Sequence, residues 1–262
     1  MQGGPDLSVL DIDASTARKK LVQFIRDQMT SAGFEHGIIG LSGGLDSTVT
    51  AYLAAEALTA SNVIGLILPY RSANDEGREH AKLVVTKLDI ESQTIDVTPQ
   101  IEAYFAQFPH ADRLRRANKI ARERMSVLYD HSRVYEALVI GTGNKSEGLL
   151  GYTTLWGDMA CAFNPLGNLY KTQVRQLAEE LGVAEAIRNK PPSAGLWPGQ
   201  TDEGELGFTY AEADQILYWL IDQQCSAEQV AEKGFPRELV AQIATRVKRS
   251  AFKSRMPPVA GM

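Results

Sequence analysis

Buried strands alternating with amphipathic helices predict an α/β fold for this chain: a doubly wound parallel sheet with helices on both faces, followed by a helical C-terminal part. Three observations carry that prediction. Short apolar runs at residues 36–41, 63–68 and 137–140 are too brief for helices and read as buried strands. Helical patterns separate them. A glycine-rich turn stands at the carboxyl end of the first run and a second at the end of the last, the edge of such a sheet where ligands bind.

Taken in order, a helix starts after Asp13 or Ser15, and Val22, Ile25 and Met29 give it an apolar stripe as far as Thr30. His36-Gly37-Ile38-Ile39-Gly40-Leu41 is the first strand, and residues 46–58 the helix after it. Val63-Ile64-Gly65-Leu66-Ile67-Leu68 is the second strand, stopped by Pro69. Residues 75–88 form a helix, 91–97 alternate like a third strand, and 100–108 and 115–132 are helical. Ala137-Leu138-Val139-Ile140 is the fourth strand. Beyond Lys171 the pattern is mostly helical, except for residues 189–208, which are rich in Gly, Pro and acidic residues and predict a functional or a disordered loop. With no internal repeat, the 262 residues are expected to form one domain.

The net charge of −5 argues against a nucleic-acid partner bound through bulk charge. Cys161 and Cys225 are far apart and in no CxxC pattern, so neither zinc nor a disulfide framework is expected. The opening Met1-Gln2-Gly3-Gly4-Pro5-Asp6 lacks the basic and apolar regions of a signal peptide, and no run spans a bilayer. A cytoplasmic location, without a membrane partner, is the expectation.

The first glycine turn reads Gly40-Leu41-Ser42-Gly43-Gly44-Leu45-Asp46-Ser47. Its glycines let the backbone approach an anion, and the following helix offers N–H groups and a favourable dipole. A Walker loop would carry a lysine before its Ser or Thr, and none is present. Asp46 would repel phosphates unless a magnesium ion bridges the two. The second turn, Gly141-Thr142-Gly143-Asn144-Lys145-Ser146-Glu147, brings a further carboxylate to the same sheet edge. Taken singly, Glu147 reads equally as a solvated glutamate favoured in a first helical turn.

The serine–glycine–glycine–x–aspartate–serine string resembles the loop of the PP-loop ATP pyrophosphatases, which adenylate an oxygen and release pyrophosphate. Further strings follow in order: Asn144-Lys145-Ser146-Glu147, Leu149-Leu150-Gly151-Tyr152, Gly157-Asp158, Asn164-Pro165-Leu166, Leu169-Tyr170-Lys171, Pro191-Pro192-Ser193-Ala194, Leu196-Trp197-Pro198-Gly199-Gln200-Thr201-Asp202-Glu203 and Glu205-Leu206-Gly207. Together they resemble ammonia-dependent NAD synthetases from about Leu21 to Pro258. The resemblance implies ATP, deamido-NAD and free ammonia as substrates, magnesium as cofactor, and a homodimer. It places ATP on residues Gly40 to Ser47, with Thr142, Lys171 and Ser193 adding contacts. It assigns magnesium to Asp46 and Glu147, substrate binding to Arg122 and Lys253, and catalytic roles to Lys171 and Asp158, the latter accepting a proton from ammonium. Arg71 is a weaker nucleotide candidate. Residues 189–208 become a lid that keeps water from the acyl-adenylate.

The chain departs from the family pattern at three places. Leu155 stands where lysine is usual, Ala162 where aspartate is usual, and Phe252-Lys253-Ser254-Arg255 replaces a histidine–lysine–arginine tail. All three concern the pyridine dinucleotide. They read either as drift within a subfamily or as a changed acyl substrate, that is, an amide ligase of the same mechanism acting on another carboxylate. A tRNA-modifying PP-loop enzyme would need cysteines and a basic surface, and a catalytically dead nucleotide sensor would not need Asp46, Glu147, Lys171 and Asp158. Gln2 rather than cysteine at position 2 leads to the expectation of no glutaminase unit.

Overall fold

Four parallel strands form the sheet in a computed structural model that describes residues 7–71, 75–197 and 199–260. The leader reading at residues 1–6 and Pro198 of the signature lie outside these. The strands are β1 (His36–Gly40), β2 (Val63–Ile67), β3 (Glu91–Thr94) and β4 (Ala137–Val139), in the order β3-β2-β1-β4. Gly37 pairs with both Val63 and Leu138, so β1 and β2 are central. Ile140 adds an isolated parallel bridge to Phe163, which ties the segment after β4 to the same sheet edge.

Helices follow the alternation. After a short 3-10 turn (Leu7–Leu10) come α1 (Ala14–Ala32), α2 (Leu45–Leu58), α3 (Asp75–Leu88), α4 (Thr98–Phe105), α5 (Arg113–Val134) and α6 (Lys145–Leu150). Asp13 caps α1 by accepting from Thr16 N–H at 2.9 Å, the first of the two starts the sequence offers. Ile39, Val63 and Ile67 meet Val22, Ile25 and Met29 of α1 and Val49 and Leu53 of α2 on one face. Ile38, Ile64 and Leu66 meet Ile101 and Phe105 of α4 and Ile120 of α5 on the other. Each such fully buried side chain contributes about 1.5–3 kcal/mol, and the period of two along a strand forces both faces to be covered.

The remaining helices are α7 (Lys171–Glu180), α8 (Glu185–Arg188), α9 (Asp202–Leu206), α10 (Tyr210–Leu217, continued by a π turn over Tyr218–Asp222), α11 (Ala227–Glu232) and α12 (Arg237–Ser250). Tyr170, Leu206, Tyr210, Ile216, Val230 and Ile243 join Leu10 and Leu150 in a separate apolar cluster. Helix α7 packs with the sheet-side helices α1 and α2 and also touches α10. It therefore links the sheet to the helical C-terminal part.

Two expectations are corrected. The alternation over residues 91–97 gives a strand only to Thr94, with every residue exposed, because β3 is the sheet's edge and buries no face. Residues 189–208 are not wholly irregular. Thr201 caps α9 by accepting from Gly204 N–H at 3.2 Å, and the acidic residues are its first turn, where the dipole favours them.

The turn after β1 is the tightest approach in the sheet edge. Gly43 has φ +72°, and a Cβ there would lie 1.9 Å from the Gly77 carbonyl oxygen of α3. Gly33, at the end of α1, has φ +74° with nothing within 4 Å of that position. Gly33→Ala should therefore show backbone strain alone, about 1–2 kcal/mol, and lower Tm by about 2–8 °C. Gly43→Ala adds the backbone clash and should melt well below it. Equal melting temperatures by calorimetry would mean that α3 does not hold the loop.

Candidate active site

The loop after β1 is braced from within, leaving its outer surface available. Ser42 and Ser47 share a hydroxyl contact at 3.0 Å, Ser42 Oγ accepts from Gly44 N–H at 3.2 Å, and Thr48 Oγ1 donates to the Gly44 carbonyl at 2.8 Å. Gly44 caps α2 without a side-chain hydrogen bond, so the first-turn N–H groups of α2 remain for an anion.

Asp46 in that first turn meets the turn after β4. Asn144 Nδ2 donates to Asp46 Oδ1 at 3.1 Å. Asn144 also forms a capping box with Glu147, whose N–H donates to Asn144 Oδ1 at 3.0 Å. The cap fixes Glu147, and Asn144 ties it to Asp46. Between the two carboxylates lies Lys171, the first residue of α7, only 3% exposed. Its Nζ donates to Asp46 and, at 3.2 Å, to Glu147 Oε1, and it lies 5.4 Å from the Tyr210 ring centroid. A cation at a helix N-terminus is disfavoured by the dipole, and these carboxylates are its compensation.

Burial works against the Lys171 ammonium, yet Asp46 and Glu147 outweigh it and hold the group above the ordinary lysine range. Burial pushes Glu147 up to about 8, opposed by Lys171 and reinforced by Asp46. Two acids face one ammonium, and a divalent cation bound there would favour the ionised form of Glu147. Among the described residues no group of three or more His, Cys, Asp or Glu is arranged to hold a metal. Hard oxygen donors from two carboxylates, completed by phosphate and water, are what magnesium accepts.

Two cavities meet here. One, of about 390 Å³, is walled by the loop from Gly44 to Ser47, Glu147, Lys171 and Asp202. The other, of about 650 Å³ and mainly apolar, lies over the strand ends against Leu66, Leu68, Tyr70, Met125 and Leu128. Ser42, Thr142, Asp158, Ser193 and Trp197 line both and mark the seam. Gly40 and Leu41 line the apolar cavity, Lys253 reaches it, and Gly43 lies in neither wall. A planar base with a phosphate tail fits that division of polarity.

Asp158 accepts from Thr154 N–H at 2.6 Å. Its carboxyl stays open to the cavity seam but is enclosed by protein elsewhere, and this enclosure raises its pKa against the pull of Lys253 and Arg124. Lys253 donates to the Gly151 and Thr153 carbonyls at 2.9 and 2.7 Å, tying the tail to the segment that carries Asp158.

Other assignments sit differently. Arg122 is exposed, donates to the Leu155 carbonyl at 3.2 Å and lines neither cavity. Arg71 pairs with Glu102 at 2.8 Å and also lines neither. In contrast Arg124, which the sequence groups with a solvated basic face, turns inward, donates to the Leu68 carbonyl at 2.9 Å and lines the apolar cavity. Burial lowers its pKa to about 10. Arg175 and Lys190 also line the polar cavity. Arg175 was findable, since it lies four residues after Lys171 on one helix face.

Comparison with known proteins agrees with this architecture. The NAD synthase family matches residues 17–257. The NH(3)-dependent NAD(+) synthetase of Trichlorobacter lovleyi is 49% identical over 97% of this chain and 93% of its own. That of Fusobacterium nucleatum is 47% identical over 97% and 98%. A structure described as NMN synthetase from Francisella tularensis superimposes with a TM-score of 0.84 at 36% identity, covering 96% of this chain and 100% of that one. The NH3-dependent NAD synthetase from Campylobacter jejuni gives 0.82 at 32%, covering 95% and 100%. With a family match over nearly its whole length and relatives of this identity, the chain belongs to the NAD synthase family.

Proposed function

We propose that this chain is an AMP-forming ligase that adenylates the nicotinate carboxylate of deamido-NAD with ATP and gives the acyl-adenylate to free ammonia, yielding NAD. The observation that carries the reading is the Lys171 ammonium held between Asp46 and Glu147 where the apolar and polar cavities meet. A carboxylate oxygen attacks the α-phosphorus, and pyrophosphate leaves. Ammonia then attacks the acyl carbon, and AMP departs with the bonding electrons.

The loop from Gly40 to Ser47 would cradle the phosphates, with Thr142 and Ser193 at the seam. Lys171 would sit against the charge that develops on the α-phosphate and leaving group. Asp46 and Glu147 are the residues that would hold magnesium, which when bound neutralises charge on the departing pyrophosphate. Asp158, with its raised carboxyl, is suited to take a proton from ammonium. Arg122 lies outside both cavities, consistent with a substrate site completed by a second copy in a homodimer. Lys253 can hold the segment around Gly151 and Thr153 against the dinucleotide.

A second reading has its own observations. Leu155, Ala162 and Phe252 depart from the family pattern, and one structural neighbour is described as an NMN synthetase. The acyl substrate is then a different carboxylate. AMP formation with saturating deamido-NAD, ammonium, ATP and magnesium tests the choice. The first reading expects stoichiometric NAD and AMP, and AMP at the substrate-free background would leave only the second.

Substitutions at the carboxylate pair test the metal assignment. Asp46→Asn and Glu147→Gln should each lower pyrophosphate release by about 10²–10³-fold, and the double variant should be little worse, because either loss dismantles one site. Near-parental pyrophosphate release by Glu147→Gln would remove that residue from the machinery.

The segment 189–208 should act as the lid. Limited proteolysis of the free protein is expected to cut within it, while ATP, magnesium and acyl substrate together should protect it. Unchanged cleavage on adding all three would make it an ordinary surface loop.

A further inference from the structure

Helix α10 does not finish as an α-helix. Over Tyr218–Asp222 it widens into a π turn, and the Gln223 N–H donates to the Tyr218 carbonyl, five residues back, at 3.0 Å. Such turns are rare and gather at functional sites. Asp222, the last residue of this one, lies eight residues after Asp214. An α-helix would set residues eight apart about 80° from each other around its axis. A π turn rotates less per residue, so it swings Asp222 back towards the side that carries Asp214.

Both carboxylates grip one junction. Asp214 accepts from the Ser146 hydroxyl at 2.5 Å and from Thr172 N–H at 2.9 Å. Asp222 accepts from Lys145 Nζ at 2.6 and 2.9 Å and from the Tyr170 hydroxyl at 3.0 Å. Lys145 Nζ also lies 4.4 Å from the Tyr170 ring centroid, so the three side chains form a closed triangle. Burial and the Asp222 charge keep the Tyr170 hydroxyl protonated, the form that donates.

The junction joins the two segments that deliver Glu147 and Lys171. Lys145 N–H donates to the Leu169 carbonyl and Lys171 N–H to Ser146 Oγ, both at 2.8 Å, so the starts of α6 and α7 run side by side. Lys145 follows Asn144, the cap that fixes Glu147, and Tyr170 immediately precedes Lys171. Asp222 therefore takes one side chain from each segment. Neither it, Lys145 nor Tyr170 lines either cavity.

From this placement we infer that Asp222 is a positioning residue for adenylation: through Lys145 and Tyr170 it fixes where Glu147 stands relative to Lys171, without touching a substrate. The inference rests on the adenylating reaction proposed above, in which those two residues act together. Helix α6 has only six residues, too few to hold its own orientation. The links between the two segments leave them able to hinge along one line of contact, and a tie through side chains removes that freedom. The chemistry tolerates little such play, since a misplacement of about 1 Å can cost about 10²-fold in rate.

Amide hydrogen exchange, followed by NMR on the free protein, reads the placement without any reaction. Asp222→Ala and Lys145→Met should each speed exchange of the Glu147 and Lys171 N–H groups by about 10-fold or more, and leave the β1 amides within about twofold. Tyr170→Phe, which removes only a hydroxyl, should affect Lys171 more than Glu147. Asp222→Glu, which keeps the carboxylate, should restore much of the protection. In pyrophosphate release with deamido-NAD and ammonium, Asp222→Ala and Lys145→Met should lose about 10–100-fold in kcat, with KM for ATP within about twofold. Combining them should be little worse than either alone, because both cut one tie. Unchanged exchange at Glu147 and Lys171 in Asp222→Ala would overturn the inference. Equally faster exchange across β1, the mark of general loosening, would do so too, as would faster local exchange with kcat at the parental value. A parent that makes no NAD would sink the acyl-substrate reading, and the exchange pattern would still decide the placement.

Discussion

A single buried ammonium organises this molecule. Lys171 is almost fully enclosed, and an unpaired charge there would cost several kcal/mol. Its two carboxylates come from different parts of the sheet edge: Asp46 from the helix after β1, Glu147 from the helix after β4. The lysine itself comes from the helix that joins the sheet to the C-terminal cluster. The contact can form only when all three elements are in register, so sheet order and site geometry are one constraint.

That constraint is reinforced from behind. Lys171 N–H donates to Ser146 Oγ at 2.8 Å, Ser146 Oγ donates to Asp214 Oδ1 at 2.5 Å, and Thr172 N–H donates to Asp214 Oδ2 at 2.9 Å. Asp214, buried on α10, thereby accepts the Thr172 N–H directly and orients the Ser146 hydroxyl that accepts the Lys171 N–H, and its carboxylate complements the α7 dipole. Burial pushes its carboxyl to about 6 although Ser146 and Thr172 pull it down. Retaining so costly a group makes sense for a helix that must begin at one residue, since one step of slip would turn Lys171 out of the site.

Much of this was legible in the sequence because strand ends and glycine turns are local signals. The loop from Gly40 to Ser47, Glu147 after β4 and Lys171 opening a helix fall where periodicity places them. Legibility failed where a side chain's direction is set by tertiary packing. Arg122 and Arg124 are two residues apart on one helix, and their 200° separation puts one in solvent and the other in a cavity wall, which composition cannot distinguish. The acidic run at residues 202–205 reads as loop until Thr201 is seen to cap it. Asp214 carried no signal at all, since its partners lie 68 and 42 residues away.

The charges around the polar cavity also bear on the segment around Asp202 that lines it. Asp46, Glu76, Glu147, Asp158 and Asp202 face it, against Lys171, Arg175 and Lys190. Burial holds Glu147 mostly protonated near neutrality, so the remaining acids and the three cations come closer to balance than a residue count suggests. Asp202 sharpens the point. It is buried in the first turn of α9, one of its carboxylate oxygens has no partner among the described residues, and burial raises its pKa to about 6. It lies within residues 189–208, and Lys171 is the cation that most favours its charged form. The acid of that segment thus answers to the same buried ammonium that holds the sheet edge together.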